Sequence, residues 1–307
     1  MVCYAPLKAY RKPDGGISFS PSSGYRDRPL DLKCGQCEGC RLAYSREWAI
    51  RCYHESKMHE ENCFVTLTYA KIPEGGTLIA NELSEFMRRL RNSQGNNIRF
   101  FGCGEYGDDF GRPHYHAIIF NWRPNDLRKW KQNKRSEWIY TSRQLDTIWS
   151  LGYTYTGEAT YQSAAYTARY ILKKITGKQA QTHYKTIDPE TGEIINEKLQ
   201  EYTRQSLGNS ETGGIGKTWY EKFGNTDAHD HDQVIIQGRK FPVPRYYDKI
   251  LEDRDPARYA RIRNARMRNA RTHADNNTPE RLKVRERVQA RKTQRLPRDG
   301  HDKGVDE

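Results

Sequence analysis

The chain has 307 residues, enough for one large domain or two modest ones. It carries 52 Lys+Arg against 39 Asp+Glu, a formal net charge of +13, so polyanions are drawn to it and nucleic acid is the first partner expected. Hydrophobic residues reach only 35%, no apolar run is long enough to span a bilayer, and the N-terminus lacks a signal-peptide core, which excludes a membrane partner and an exported chain from the expectations.

Residues 1–40 are rich in Gly, Pro, Ser and charge, and read as loops that end in a cysteine cluster. A helix is expected from Leu42 to about His59. The run Cys63 to Tyr69 is β-branched, aromatic and alternating, as a strand requires. Leu78, Leu83, Phe86, Met87 and Leu90 follow at helical spacing. Ile98 to Glu105 and Pro113 to Asn121 read as two strands, and the polar link Gly107 to Gly111 suits a hairpin between them. Leu145, Ile148 and Trp149 mark a short helix, Gly152 to Thr156 a strand, and Tyr161 to about Thr176 a further helix. Residues 178–212 read as an extended polar insert, and a last structured piece runs from Gly216 to Leu251. Beyond Arg254 the chain reads as a basic arm, helical or disordered, that holds phosphates without reading sequence. The element order predicts an α+β fold: a central antiparallel sheet with helices packed on one face, plus an extended basic C-terminal tail. The corresponding boundaries are 1–60 for the cysteine region, 61–178 for the core, 179–253 for the insert and last structured segment, and 254–307 for the tail.

Seven cysteines without a secretion signal favour reduced thiols or metal ligands over a disulfide framework. Cys34-Gly35-Gln36-Cys37-Glu38-Gly39-Cys40 offers three thiolates. A structural zinc ion needs a fourth ligand, for which Cys3 ranks first and Cys52 or His54 behind it. Three free thiols fit the spacing equally well, and an iron–sulfur cluster is compatible with it.

Arg112-Pro113-His114-Tyr115-His116 puts two imidazoles on one face of a strand, because side chains alternate there. Neutral imidazoles ligate divalent ions, and an ion held so can polarise a phosphodiester oxygen. In a hairpin that turns near Asp109 and Phe110, Glu105 sits opposite His114 and becomes the third ligand. A second such pair, His229-Asp230-His231, is flanked by Asp227 and Asp232 and reads as a solvated polar segment. Gly213 to Thr218 resembles a phosphate loop, but Glu211 stands where that pattern needs glycine, so ATPase and helicase activity are excluded.

In Tyr166-Thr167-Ala168-Arg169-Tyr170-Ile171-Leu172-Lys173-Lys174, a step of about 100° per residue puts Tyr170 near 40° from Tyr166, Lys173 near 340° and Lys174 near 80°. Ala164, Ala168, Ile171, Leu172 and Ile175 fall between about 140° and 240°. The phenols are therefore expected to face away from the helix's own packing surface, beside two ammonium groups. A free phenol is only about one part in a thousand ionised at neutral pH, so attack on phosphorus needs such cationic help. Two tyrosines four residues apart could alternate as nucleophiles.

Three blocks, Phe64 to Tyr69, then Arg112 to His116, then Tyr166, Tyr170 and Lys173, stand in the order found in the His-hydrophobic-His (HUH) endonucleases that initiate rolling-circle replication. The two-tyrosine helix resembles that of initiators from small icosahedral single-stranded DNA phages (microviruses). The length, the cysteine cluster and the late Pro244-Arg245-Tyr246-Tyr247 element resemble the gokushovirus branch. The resemblance implies a nickase and strand transferase acting on single-stranded DNA at the origin. His114, His116 and Glu105 would hold Mg²⁺ or Mn²⁺, and Tyr166 and Tyr170 would be the nucleophiles. Lys173 would be the phosphate or phenolate partner, although its neighbour Lys174 leaves the active lysine open. A 5′-phosphotyrosyl intermediate, a free 3′-OH for host DNA polymerase and helicase, and the cytoplasm of a bacterial host follow as further expectations. The competing readings are a non-catalytic, zinc-containing nucleic-acid-binding protein and a hydrolytic nuclease that stays uncoupled from DNA.

Overall fold

A computed structural model describes residues 3–107, 110–133, 135–173, 180, 183–187, 194–209 and 211–294, with the side chains of 170–173, 186–187, 194–196 and 294 outside that set. The chain divides into two units, Met1–Tyr44 with Asp255–Pro297, and Ser45–Arg254. Among the described residues no helix is long and apolar enough to cross a membrane.

In the first unit, residues expected to be loops form three short antiparallel strands, β1 (Leu7–Arg11), β2 (Ile17–Ser18) and β3 (Pro29–Leu32), in the order β2-β1-β3. Their side chains are mostly exposed, so no hydrophobic alternation announces them. Helix α1 (Glu38–Ser56) starts within the cysteine cluster, four residues earlier than expected.

The second unit is built on a seven-stranded sheet. Its strands are β4 (Asn62–Thr68), β5 (Arg99–Tyr106), β6 (Pro113–Phe120), β7 (Arg128–Gln132), β8 (Trp138–Thr141), β9 (Thr154–Gly157) and, after the hairpin β10 (Lys185–Ile187) and β11 (Ile194–Glu197), β12 (Tyr202–Gln205). They lie in the order β12-β5-β6-β4-β9-β8-β7 and every neighbouring pair is antiparallel. The expected α+β fold on an antiparallel sheet is therefore present. Strand β12 corrects the insert at 178–212, because part of that polar stretch adds an edge strand to the sheet. Among the described residues, β7 and β8 are likewise strands the pattern did not announce.

Helices α2 (Glu82–Gln94) and α3 (Arg143–Trp149) cover one face, where Leu83, Phe86, Met87, Leu145 and Trp149 meet Val65, Leu67, Tyr115 and Ala117. Helix α1 and α4 (Tyr161–Lys173) cover the other, with Trp48, Ala164 and Ala168 against Phe64, Phe101, Ile118 and Phe120. Helices thus pack on both faces rather than on one. The cause is visible in β6, whose eight residues are all buried: a strand apolar on both sides must be covered on both sides.

The chain then forms α5 (Lys217–Gly224), a π-helical turn at Asn225–Asp230, the hairpin β13 (Val234–Ile236) and β14 (Arg239–Phe241), and α6 (Arg245–Arg254), with Trp219, Tyr220, Val234 and Tyr247 as their shared core. The basic arm, in the first unit, is helical where described: α7 (Pro256–Thr272) and α8 (Pro279–Gln294). Each starts on proline, whose missing N–H costs nothing in a first turn, and the Asp255 side chain caps α7 by accepting from the Arg258 N–H at 2.9 Å. Helix α7 holds six arginines and no acidic residue, and buries none of its side chains.

Candidate metal centre and tyrosine helix

The β5–β6 hairpin pairs Glu105 with His114 and Cys103 with His116. Strand alternation then turns His114, His116, Ile118 and Phe120 toward the face covered by α1 and α4, and Glu105 joins them there. Glu105 Oε1 lies 2.7 Å from His114 Nε2 and 2.9 Å from His116 Nε2, and one ligand atom from each residue lies within 4.8 Å of the other two. The site is deep, with Glu105 1%, His114 7% and His116 0% exposed.

The proton positions follow from the outer partners. The Arg112 carbonyl lies 3.0 Å from His114 Nδ1 and can only accept, so Nδ1 carries a proton. A neutral His114 therefore turns an Nε2 lone pair toward the carboxylate. Thr66 Oγ1 lies 2.9 Å from His116 Nδ1 and can hold that ring the same way. Lone pairs facing a carboxylate oxygen at such distances require a positive charge between them, a proton or a cation. Glu105 Oε2 is also buried and lacks a hydrogen-bond partner. An orphaned carboxylate oxygen and two converging imidazole nitrogens are a donor set that fits a divalent ion.

Helix α4 lies against β5 and β6. Its buried face is made of small residues, Ser163, Ala164, Thr167 and Ala168, which let it approach the sheet closely. Tyr166, on the flank of that face, is half-buried. Its ring centroid lies 5.3 Å from that of His116, edge-on, and 6.1 Å from Phe64, while Phe64 stacks on His116 at 5.4 Å. This corrects the expectation that the phenols point away from the packing surface: close approach by a small-residue face carries the flanking tyrosine to the sheet. Tyr170 and Lys173 belong to the same helix, but their side chains lie outside the described set, and Lys174 lies outside the described residues altogether. A cavity of about 130 Å³ opens beside Tyr166, with Phe64, Arg135, Trp138, Ser163 and Arg169 on its walls.

The sulfurs of Cys3, Cys34, Cys37 and Cys40 come together, all within 4.8 Å of one another. Burial would lift the Cys37 thiol, but the backbone N–H groups of Tyr4 and Cys40 and the thiols of Cys34 and Cys40 draw it down to about 7; burial carries Cys40 up to about 12. The other two candidates for a fourth ligand belong to cores of the second unit. Cys52 packs with Trp48 and Phe101, and His54 stacks on Trp219 at 3.5 Å. The reading of His229 as solvated is overturned. The π-helical turn swings it inward, where it lies 3.2 Å from the Tyr220 hydroxyl and 3.1 Å from Asp248 Oδ1, at 3% exposure. Its neighbour His231 stays exposed.

A family model described as replication-associated protein ORF2 matches residues 62–175. Replication-associated protein VP4 of Bdellovibrio phage phiMH2K is 31% identical over 270 residues, covering 84% of this chain and 80% of its own. Replication-associated protein ORF2 of Spiroplasma virus 4 is 32% identical over 281 residues, covering 82% of this chain and 81% of its own. The chain belongs to the family of phage replication-associated proteins. ORF4 of Chlamydia phage 1, another replication-associated protein, is 29% identical over 230 residues, 72% of this chain and 53% of the relative. No solved structure matches the chain.

In this replication-associated protein the family match contains Glu105, His114, His116 and the whole of α4. Thr66 and the Arg112 carbonyl are the contributors that sequence reasoning missed. Both lie inside the motif blocks, but their roles depend on β4 pairing with β6, which sets Thr66 opposite His116.

Proposed function

We propose that this protein nicks and rejoins single-stranded DNA at the phage replication origin by metal-assisted tyrosine transesterification. The observation that carries this reading is the approach of the Tyr166 ring to His116, beside a buried His-His-Glu donor set. A divalent ion, Mg²⁺ or Mn²⁺, held by His114 Nε2, His116 Nε2 and Glu105, would polarise a non-bridging oxygen of the scissile phosphate. The Arg112 carbonyl and the Thr66 hydroxyl keep both Nε2 lone pairs directed at the centre. The Tyr166 phenol loses its proton, its oxygen bonds to phosphorus, and the P–O3′ bond breaks. The 3′ oxygen takes up a proton and leaves as a hydroxyl, while the 5′ end stays on the tyrosine. Arg135 and Arg169, on the cavity wall beside Tyr166, are placed to offset charge on the phosphate oxygens. Rejoining runs the same steps backward, with a DNA hydroxyl as nucleophile and tyrosine as leaving group, so no nucleotide cofactor is consumed.

Tyr170 is assigned the second cut, and Lys173 or Lys174 the stabilisation of the phenolate. The arginine-rich α7 and α8 hold the phosphate backbone. The protein would act in the cytoplasm of the infected bacterium, where the 3′-OH primes host polymerase and host helicase opens the duplex. Incubation with Mn²⁺ and an origin oligonucleotide is expected to give a covalent adduct that survives denaturation and is absent from a Tyr166→Phe/Tyr170→Phe double variant. Cleaved DNA with free 5′-phosphate ends and no adduct would favour hydrolysis instead.

A further inference from the structure

Four sulfurs from two separate segments of the first unit share one small volume, and none is in a disulfide. Cys3 and Cys34 Sγ stand 3.7 Å apart. A tetrahedron of thiolates at the usual zinc–sulfur length of about 2.3 Å has edges of about 3.8 Å, whereas a disulfide closes to about 2.05 Å. A multi-iron cluster would have to fit several metals and inorganic sulfides between the four thiolates and would hold them farther apart than a single ion does.

The surroundings match a bound ion. The backbone N–H groups of Tyr4, Cys34 and Cys37 donate to the sulfurs of Cys37, Cys3 and Cys34 at 3.3, 3.4 and 3.3 Å. The N-terminal segment thus donates to the loop, and the loop to the N-terminal segment. Donors of this kind orient thiolates and neutralise part of their charge. Gly35 makes the turn from Cys34 to Cys37 at φ +76°, with open space where a Cβ would be, so the glycine serves the left-handed backbone and not clearance. Cys40 sits in the first turn of α1, where the helix dipole favours a thiolate.

The unit also needs a staple. Among the described residues of its two segments, the buried apolar side chains are Cys3, Tyr4, Ala9, Cys40 and Leu282, and two of these five belong to the cluster. So small a set cannot offset the conformational entropy of ordering the strands β1 to β3.

We propose that Cys3, Cys34, Cys37 and Cys40 bind one structural zinc ion that holds residues 1–44 folded. This all-sulfur site differs in kind from the nitrogen and oxygen donors of Glu105, His114 and His116, and the proposal stands independently of the nicking chemistry. The test is metal analysis of the full-length protein, purified under reducing conditions without chelator. The expected result is one zinc per chain, released by a mercurial thiol reagent, with Co²⁺ substitution giving the thiolate charge-transfer and tetrahedral d–d bands of an S₄ site. Cys34→Ser/Cys37→Ser should lower zinc to below about a tenth per chain and speed proteolysis within residues 1–44 at least about tenfold, while His116→Ala keeps its zinc. Should the double variant fail to fold, the Co²⁺ spectrum and mercurial release of the wild-type chain decide alone. Wild-type protein without zinc, iron in its place, a Co²⁺ spectrum lacking thiolate bands, or zinc that departs with His116→Ala would each overturn the proposal.

Discussion

Replacing Thr66 by valine exchanges a hydroxyl for a methyl of nearly the same shape at a site 4% exposed, so packing is preserved and the contact to His116 Nδ1 is lost. A protonated Nδ1 would then be a buried donor without an acceptor, at a cost of about 1–3 kcal/mol. The ring escapes that cost by moving its proton to Nε2, where Glu105 Oε1 accepts it from 2.9 Å. That tautomer has no Nε2 lone pair for an ion. Binding a cation must reverse the shift and restore the orphaned donor, which amounts to about 1.4–2.8 kcal/mol, or about 10–100-fold in metal affinity. The assay is nicking of a single-stranded origin oligonucleotide against Mn²⁺ concentration. Half-saturation is expected to rise by about 10–100-fold in Thr66→Val, with activity recovered at saturating ion, while Thr66→Ser stays near wild type. An unchanged half-saturation in a folded Thr66→Val protein would refute either the tautomer argument or the placing of the ion at His116.

Tyr166→Phe alone is expected to cut first-strand nicking by at least about 100-fold while leaving DNA affinity within about twofold, measured by adduct gel and fluorescence anisotropy; retained nicking would move the first cut to another residue. Changing Arg261, Arg263, Arg268 and Arg271 of α7 to glutamine should flatten the slope of log affinity against log salt for single-stranded DNA by up to about 3, at about 0.7 per phosphate contact. An unaltered slope would remove α7 from the DNA path. His54 is held neutral by burial, its pKa lowered to about 3, so the unfolded chain takes up a proton that the folded chain refuses. Stability is then complete above about pH 6.5 and falls by about 1.4 kcal/mol per unit down to about pH 3, and His54→Gln should lessen this dependence in urea titrations between pH 7 and 5. An equal pH slope in both proteins would show that His54 is not the group responsible.

The parts of the molecule legible in the sequence are those that hydrophobic pattern controls. Strands β4, β5 and β6 and helices α2 and α4 are delimited to within a few residues because their burial is written in residue type. Counting through the hairpin places Glu105 opposite His114, since a short antiparallel turn fixes register. The edge strands are not legible. Tyr202–Gln205 and Arg128–Gln132 carry exposed and charged side chains, and backbone hydrogen bonds alone bind them to the sheet. Thr66 escapes because its role needs β4 beside β6, a long-range pairing that no local pattern encodes. His229 misleads because its acidic neighbours look solvated, whereas the π-helical turn gives it a private carboxylate in Asp248.

The three candidate ligands come from the two arms of one hairpin, at register positions fixed by the backbone ladder. A slip of one step between β5 and β6 would send Glu105 to the opposite surface from the imidazoles and break the donor set completely. Correct strand pairing and assembly of the centre are thus a single event in folding. A misregistered chain would be blind to the ion, and an ion bound to the finished site would count as a selective reward for the right alignment.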